Sequence, residues 1–162
     1  MTAGSGYEHM KLFLSVPFTA MIDSDSGLIM RAHREYVLQI LGTIRNLGHD
    51  CFCSMEREEW GAKLYTPEDA YRDDRQRVLE CDGVVAILGN PISPGVIMEL
   101  TMAAEHKKPA LVYQLSGALV PYLLPGFSSR TQIHIQIVSS PSQVVEMIPS
   151  NLAQLWSSYT RR

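Results

Sequence analysis

The sequence predicts an α/β fold: a doubly wound, Rossmann-like, mostly parallel five-stranded sheet with helices on both faces, in a single domain. Short apolar runs alternate along the chain with segments of helical periodicity. The run Gly83–Leu88, GVVAIL, is apolar without interruption, as in a parallel strand covered on both faces. The chain has 162 residues, 46% of them hydrophobic, which suits one domain with a substantial core.

The first strands and helix follow from simple patterns. Residues 11–16, KLFLSV, form an apolar run that Pro17 ends. Apolar residues at helical spacing predict a helix over residues 31–47, and Gly48 follows where helices commonly terminate. Residues 50–54 are the second, short strand.

The middle of the chain continues the alternation. The segment MEREEWGAKLY is expected to be a polar and aromatic loop. A helix then opens with Thr66 as N-cap and Pro67 at its first position, and leads to the third strand, GVVAIL. Another helix begins near Gly95 and runs to Lys107.

The last third supplies two more strands and a closing helix. Residues 109–114, PALVYQ, are the fourth strand, and residues 116–130 are expected to be irregular. Residues 133–138, IHIQIV, alternate like a half-exposed strand, and a helix over residues 142–159 follows.

Composition and charge argue against several classes of protein. A net charge of −3 gives no electrostatic basis for binding nucleic acid, and no apolar run is long enough to span a bilayer. No secretory signal opens the chain, so we expect a cytoplasmic protein with a flexible lead over residues 1–10 and one domain over residues 11–160. The three cysteines and five histidines lack metal-ligand spacing, so no metal is expected.

In an open α/β sheet, ligands bind beyond the carboxyl ends of the strands. The loops there read SVPFTA, MEREEWGAKLY and GNPISPG. Ser93, Pro94 and Gly95 precede a helix whose N-terminus suits a phosphate, although Ser-Pro-Gly is also an ordinary helix start. The loop is neither a Walker A nor a G-x-G-x-x-G motif.

Glu99 is a lone acid on an apolar helix, one turn beyond Gly95. It is either a nucleophile, which the nearby helix N-terminus would keep ionised, or an acid that stabilises the helix dipole. Asp74 and Asp82 are further acids, each with an ordinary reading as a solvated or capping residue. A nucleophilic carboxylate with a second acid is the minimum for glycoside chemistry. No serine or cysteine nucleophile has a plausible histidine base.

Four segments, FLSVPF, REEWGAKLYTPEDA, YRDD…CDGVVAI and SPGVIMELTMAAEHKKP, resemble in order and spacing the nucleoside 2-deoxyribosyltransferase superfamily. The resemblance spans residues 11–112. It is strongest to the hydrolases of CMP and hydroxymethyl-CMP in the blasticidin and mildiomycin antibiotic pathways.

The resemblance implies cleavage of an N-glycosidic bond with retention, in a nucleoside 5′-monophosphate. It makes Glu99 the nucleophile that forms a ribosyl ester, which water then resolves. Asp74 and Asp82 match acids that position the substrate and assist proton transfer. Ser93 and Gly95 match the cradle for the 5′-phosphate.

Phe18 and Thr19 match positions that contact the base. Trp60 is either the floor of the base pocket or the anchor of a long loop, and Arg57 either reaches phosphate or lies on the surface. The resemblance implies a homodimer whose partner subunit completes the site, with residues 128–130 as candidates to act across the interface. It implies no cofactor.

The sequence departs from the superfamily at Val96 and Thr101, on either side of Glu99, and at positions that match contacts with the base. Val16-Pro17 stands where Gly-Pro is common, and Thr19 stands where the hydroxymethyl-CMP hydrolase has an arginine. A CMP-like pyrimidine is favoured and a purine is compatible. Two alternatives stay open: a (deoxy)ribosyltransferase that exchanges bases, and a non-catalytic nucleotide-binding module.

Overall fold

The computed structural model describes residues 9–159, with side chains through residue 157. Residues 1–8 of the expected lead, and the two terminal arginines, lie outside the described part. Met10, which we assigned to the lead, is instead buried against the core. The packed domain therefore begins at least one residue before the first strand.

Five strands form one sheet in the order β2-β1-β3-β4-β5, and every pairing is parallel. The strands are β1 (Lys11–Ser15), β2 (Asp50–Phe52), β3 (Gly83–Leu88), β4 (Ala110–Leu115) and β5 (Ile133–Val138). The predicted fold class is confirmed, and the sheet is wholly rather than mostly parallel.

Five α-helices accompany the sheet: α1 (Arg31–Asn46), α2 (Ser54–Arg57), α3 (Pro67–Glu80), α4 (Pro94–Glu105) and α5 (Pro141–Tyr159). Helices α1 and α5 pack on one face, and α3 and α4 on the other. The Thr66 hydroxyl accepts a bond from the Asp69 backbone N–H and so caps α3, as its sequence predicts. None of the described helices is both long and apolar enough to cross a bilayer.

The segment MEREEWGAKLY is not the simple loop that its polarity indicates. It contains most of α2 and a 3-10 turn over Glu59–Gly61. The Trp60 side chain is buried in the core, and its carbonyl accepts a bond from the Ile29 N–H at 2.9 Å. Gly61 has φ +97°, and a Cβ there would lie 2.9 Å from the Gly27 carbonyl oxygen. Burial of one large apolar ring pins this segment against the body of the domain.

The strand order places a ligand crevice beside β1. From β1 the chain crosses to β2 on one side, and β3 returns on the other side of β1. The connections leaving the carboxyl ends of β1 and β3 therefore diverge, since α1 and α4 lie on opposite faces of the sheet. Such a switch point is where doubly wound sheets bind ligands.

Candidate active site

A cavity of about 710 Å³ opens at this switch point. Its walls come from three parts of the chain, residues 16–22 after β1, residues 54–74 after β2, and residues 91–99 after β3. All three loops that the sequence singles out contribute. The volume suits a nucleotide-sized ligand.

A second concavity, of about 750 Å³ and more open, lies along the edge strand β2. Its Arg45 and Glu56 side chains pair with each other at 2.6 Å. Neither Glu99 nor Asp74 lines it, whereas both line the cavity at the switch point. We therefore assign the chemistry to the latter and call it the catalytic cavity.

Glu99 projects from α4 into the catalytic cavity and is partly buried. The hydroxyl of Ser15, a buried residue at the end of β1, donates a hydrogen bond to Glu99 Oε2. Burial raises the pKa of Glu99 to about 8, and the nearby Asp74 charge acts in the same direction. The Ser15 bond and the Arg57 charge oppose that rise. Near neutral pH the unliganded site therefore holds Glu99 largely protonated.

This protonation corrects the expectation that the helix N-terminus keeps Glu99 ionised. Pro94 is the first residue of α4, so Glu99 lies beyond the first turn. The field of the helix dipole falls off within that turn, and desolvation outweighs it.

Asp74, on α3, shares the catalytic cavity with Glu99. Its Oδ1 accepts a bond from Arg57 Nη1 at 2.7 Å. Burial raises the pKa of Asp74, while the Arg57 charge and hydrogen bond act to lower it. The structure thus brings together the two acids that N-glycoside chemistry needs.

Asp82 does not join them. It directly precedes β3, and its carboxylate accepts a bond from the Lys11 backbone N–H at 2.7 Å, at the start of β1. The six residues of β3 separate it from the carboxyl edge of the sheet by about 20 Å. The predicted catalytic role of Asp82 is therefore wrong, because the residue before a parallel strand lies at the end opposite the ligand crevice.

Ser93 and Gly95 line the catalytic cavity at the start of α4. Ser93 holds the N-cap position, yet its side chain makes no capping hydrogen bond. A Cβ built on Gly95 would meet only Ser93 Oγ, at 3.7 Å, so this end of the cavity is open. Backbone N–H groups of the first turn and the Ser93 hydroxyl are thus placed to meet an anion.

Phe18 and Thr19 also line the cavity, as their position after β1 predicts. Trp60 does not line it, so the interpretation of Trp60 as the floor of a base pocket is wrong and the loop-anchor interpretation holds. Its burial in the core directs the ring away from the ligand. Tyr65, five residues later, is the aromatic residue of this segment that does reach the cavity.

The role of Arg57 was not predicted from the sequence. The sequence analysis placed Arg57 either on the surface or against phosphate, but its side chain is only 10% exposed and does not line the catalytic cavity. Its guanidinium binds Glu58, Asp73 and Asp74. Ser15 was also missed, although its position at the carboxyl end of β1 was a usable signal.

Several solved structures share this architecture. The CMP N-glycosidase BcmB of Clostridium botulinum matches with a TM-score of 0.65 at 17% identity, over 86% of this chain and 98% of its own. BlsM matches with a TM-score of 0.76 at 23% identity, over 90% of each chain. A 2-deoxyribosyltransferase of Bacillus psychrosaccharolyticus matches with a TM-score of 0.59 at 18% identity, over 83% and 90%.

No protein-family model and no curated protein sequence matches this chain. The structural likenesses, all under 25% identity, establish the fold. The three neighbours belong to the superfamily that the sequence resembles, so the fold expected from that resemblance is confirmed.

Proposed function

We propose that this protein is an N-glycosidase of nucleoside 5′-monophosphates that releases the free base and ribose 5-phosphate. A CMP-like pyrimidine is the favoured base and a purine is compatible, and the resemblance connects the activity with nucleoside antibiotic biosynthesis. One observation carries the proposal: Glu99 and Asp74 line one cavity that the N-terminus of α4 also lines.

The proposed reaction proceeds in two displacements. The Glu99 carboxylate attacks C1′, the bond from C1′ to the base nitrogen breaks, and a ribosyl ester forms on Glu99. Asp74 supplies the proton that the departing base takes up, and then accepts a proton from the incoming water. That water attacks C1′, the ester breaks, and Glu99 is regenerated.

The rest of the cavity binds the substrate. The 5′-phosphate is held by the first turn of α4 with Ser93 and Gly95, so that C1′ lies one turn along the helix, beside Glu99. Phe18 and Thr19 contact the base. This arrangement orients the ribose between its two ends, and no metal or organic cofactor enters the proposed reaction.

The proposal is tested by incubating the protein with a panel of ribo- and deoxyribonucleoside monophosphates and following base release by chromatography. Release from at least one nucleotide is expected, and accumulation of a 2′-fluoro-ribosyl adduct on Glu99 would identify the ester. If a second free base is added and a new nucleotide appears, the protein is a transferase. If nucleotides bind but none loses its base, the non-catalytic module is the correct reading.

Asp74→Asn is expected to lower kcat by about 10²-fold or more, because the amide keeps the shape of the side chain but cannot exchange the proton. Asp82→Asn is the matched control, since Asp82 lies at the far end of the sheet, and it should leave kcat unchanged. Equal losses in both variants would contradict the role of Asp74.

Ser15→Ala is expected to shift the pH dependence of kcat/KM. The proposed reaction needs Glu99 ionised and Asp74 protonated, so the pair must keep one proton, and kcat/KM should fall as that proton is lost near pH 8 in the parent protein. The Ser15 hydroxyl favours the ionised carboxylate, and its loss should move this fall to higher pH. The profile is measured from pH 5 to 10. Ser150→Ala, at an exposed position on α5, should leave the profile in place.

We also propose that the protein acts as a homodimer whose partner completes the site. Three large apolar side chains after β4, Leu119, Tyr122 and Leu123, are 85%, 95% and 74% exposed. They follow the carboxyl end of β4, on the edge of the sheet that carries the catalytic cavity. Light scattering of the parent protein and of Tyr122→Glu tests this proposal, with a monomeric parent as the contrary result.

A further inference from the structure

Building on the proposed function, we infer that Arg57 is a positioning residue that fixes two parts of the catalytic cavity at once, the Asp74 carboxylate and the Tyr65 ring. Arg57 lines the concavity along β2 and not the catalytic cavity. It therefore lies in the wall between the two and acts on a substrate only through its neighbours.

The contacts on the Asp74 side are close and directional. Arg57 Nη1 donates to Asp74 Oδ1 at 2.7 Å and to Asp73 Oδ2 at 2.6 Å, while Nη2 donates to Glu58 Oε1 at 2.7 Å. One guanidinium thus ties the end of α2 to the middle of α3. Because the bond to Asp74 engages Oδ1, the second carboxylate oxygen is the one presented to a substrate.

The contact with Tyr65 places the same guanidinium over an aromatic ring. The Arg57 Cζ lies 4.4 Å from the centroid of the Tyr65 ring, and 5.8 Å from that of Phe52. Tyr65 also lines the catalytic cavity. A ring held in this way offers a fixed surface on which the base can stack, which is a sequence-tolerant contact.

These contacts require arginine rather than any cation. The planar fork binds carboxylates through two nitrogens, and the same plane stacks on an aromatic ring. A lysine in this place would supply the positive charge from a single point and could not do both. The substitution Arg57→Lys therefore separates the geometry of this residue from its charge.

The charges around Asp74 explain why the position of Arg57 affects the protonation of Asp74. The carboxylates that face Asp74 are Asp73 on its own helix, Glu58 after α2, and Glu99 on α4. Arg57 is the cation that binds Asp74 directly, while Arg77 on α3 lies 3.6 Å from Asp73 Oδ1, and the Arg57 charge lowers the pKa of both Asp74 and Glu99. Its position thus sets both the orientation and the charge of the second acid.

The inference predicts a distinctive pattern in the kinetics. Tyr65→Leu should raise KM for the nucleotide about tenfold with little change in kcat, since only base stacking is lost. Asp74→Asn should lower kcat. Arg57→Lys should both raise KM and lower kcat, the latter by about 100-fold, because a small displacement of a reacting group lowers the rate strongly. In the Arg57→Lys background, Tyr65→Leu should add little further increase in KM. Parent-like kinetics for Arg57→Lys would overturn the inference.

A second measurement does not depend on activity. The Asp74 carboxyl is followed by ¹³C NMR titration in the parent, in Arg57→Lys and in Arg57→Gln, with Asp74→Asn identifying its signal. Loss of the cation in Arg57→Gln should move the Asp74 titration to higher pH, and Arg57→Lys should restore part of the shift. An unchanged titration in folded Arg57→Gln would contradict the inference.

The two measurements distinguish this inference from the proposed function. If no nucleotide loses its base even with the parent protein, the proposed function fails, while the titration still decides whether Arg57 controls Asp74. If the parent is active and Arg57→Lys matches it in kinetics, the positioning role fails and the proposed function stands. Arg57→Lys keeps the buried charge, so it is the variant used should Arg57→Gln not fold.

Discussion

Glu99→Gln is expected to abolish base release, with kcat reduced by about 10⁴-fold or more. Glutamine has nearly the shape of glutamate and can still bond with Ser15, but its neutral amide cannot form the ribosyl ester at C1′. The rate is measured by chromatography under saturating nucleotide. The same variant should show no covalent adduct with a 2′-fluoro nucleotide. A variant with more than a few per cent of the parent rate would exclude Glu99 as the nucleophile.

The stability of Glu99→Gln supplies the control, because it should change in the opposite direction to activity. The pKa of Glu99 is about 8 in the folded protein against an ordinary value of 4.5. Below pH 4.5 both states hold the proton and the carboxyl has no pH-dependent effect. Between these values the unfolded chain loses its proton first, so the parent becomes less stable as pH rises, and the effect levels off above pH 8.

Glutamine has no such titration. The free energy of unfolding of Glu99→Gln should therefore exceed that of the parent by about 5 kcal/mol at pH 9, and by little at pH 4. Urea denaturation at pH 4, 7 and 9 measures this difference. A gain that grows with pH would show that the inactive variant is folded and that the site is strained by the ionised nucleophile. A pH-independent difference would contradict the raised pKa.

The raised pKa of Glu99, which is expected to cost stability, has a consequence for the proposed reaction. In the proposed reaction, burial beside Asp74 makes the Glu99 carboxylate reactive towards C1′ once it loses its proton, because desolvation raises its basicity. Ser15 and Arg57 limit how far the pKa rises, so ionisation occurs near pH 8 rather than beyond reach. The site thus balances desolvation against two stabilising contacts, as is common for catalytic carboxyls.

The fold was predictable because its signals are local. The apolar run of β3 and the cap of α3 at Thr66 follow from neighbouring residues and are found in the structure, and β5 forms where its sequence predicts a strand although its burial does not alternate. The position of Glu99, Ser93 and Gly95 at one cavity also followed, since all three lie at the start of the helix after a parallel strand.

The rest of the site depends on contacts between distant residues. Arg57 lies 16 and 17 positions from the two aspartates that it binds, so no local pattern connects them. The sequence left Trp60 open between the floor of the base pocket and a loop anchor, and only the structure, in which its backbone has φ 60° and its ring is buried in the core, decides for the anchor. The pKa of Glu99 depends on burial by three separate loops, which sequence periodicity does not report.

Arg57→Met is expected to destabilise the protein by about 3–5 kcal/mol at pH 7, the largest loss of stability that we predict for one substitution. Methionine keeps the length of the side chain but leaves Glu58, Asp73 and Asp74 facing one another without the cation between them. Glu58 is itself buried, so its charge cannot recover full hydration. The loss is measured by urea or thermal denaturation against the parent protein.

Arg45→Met is the matched control, since Arg45 also ends on a carboxylate, that of Glu56, at 2.6 Å. Both of those side chains are about two-fifths exposed, at 41% and 38%, so this pair is screened by water and its loss should change stability by about 1 kcal/mol or less.

Lowering the pH should partly restore the stability of Arg57→Met, because the carboxylates left without Arg57 then take up protons. Equal effects of the two substitutions, or no rescue at low pH, would contradict a buried cation that holds three acids together. A large, acid-rescued loss would instead explain why the wall of the catalytic cavity is built around this arginine.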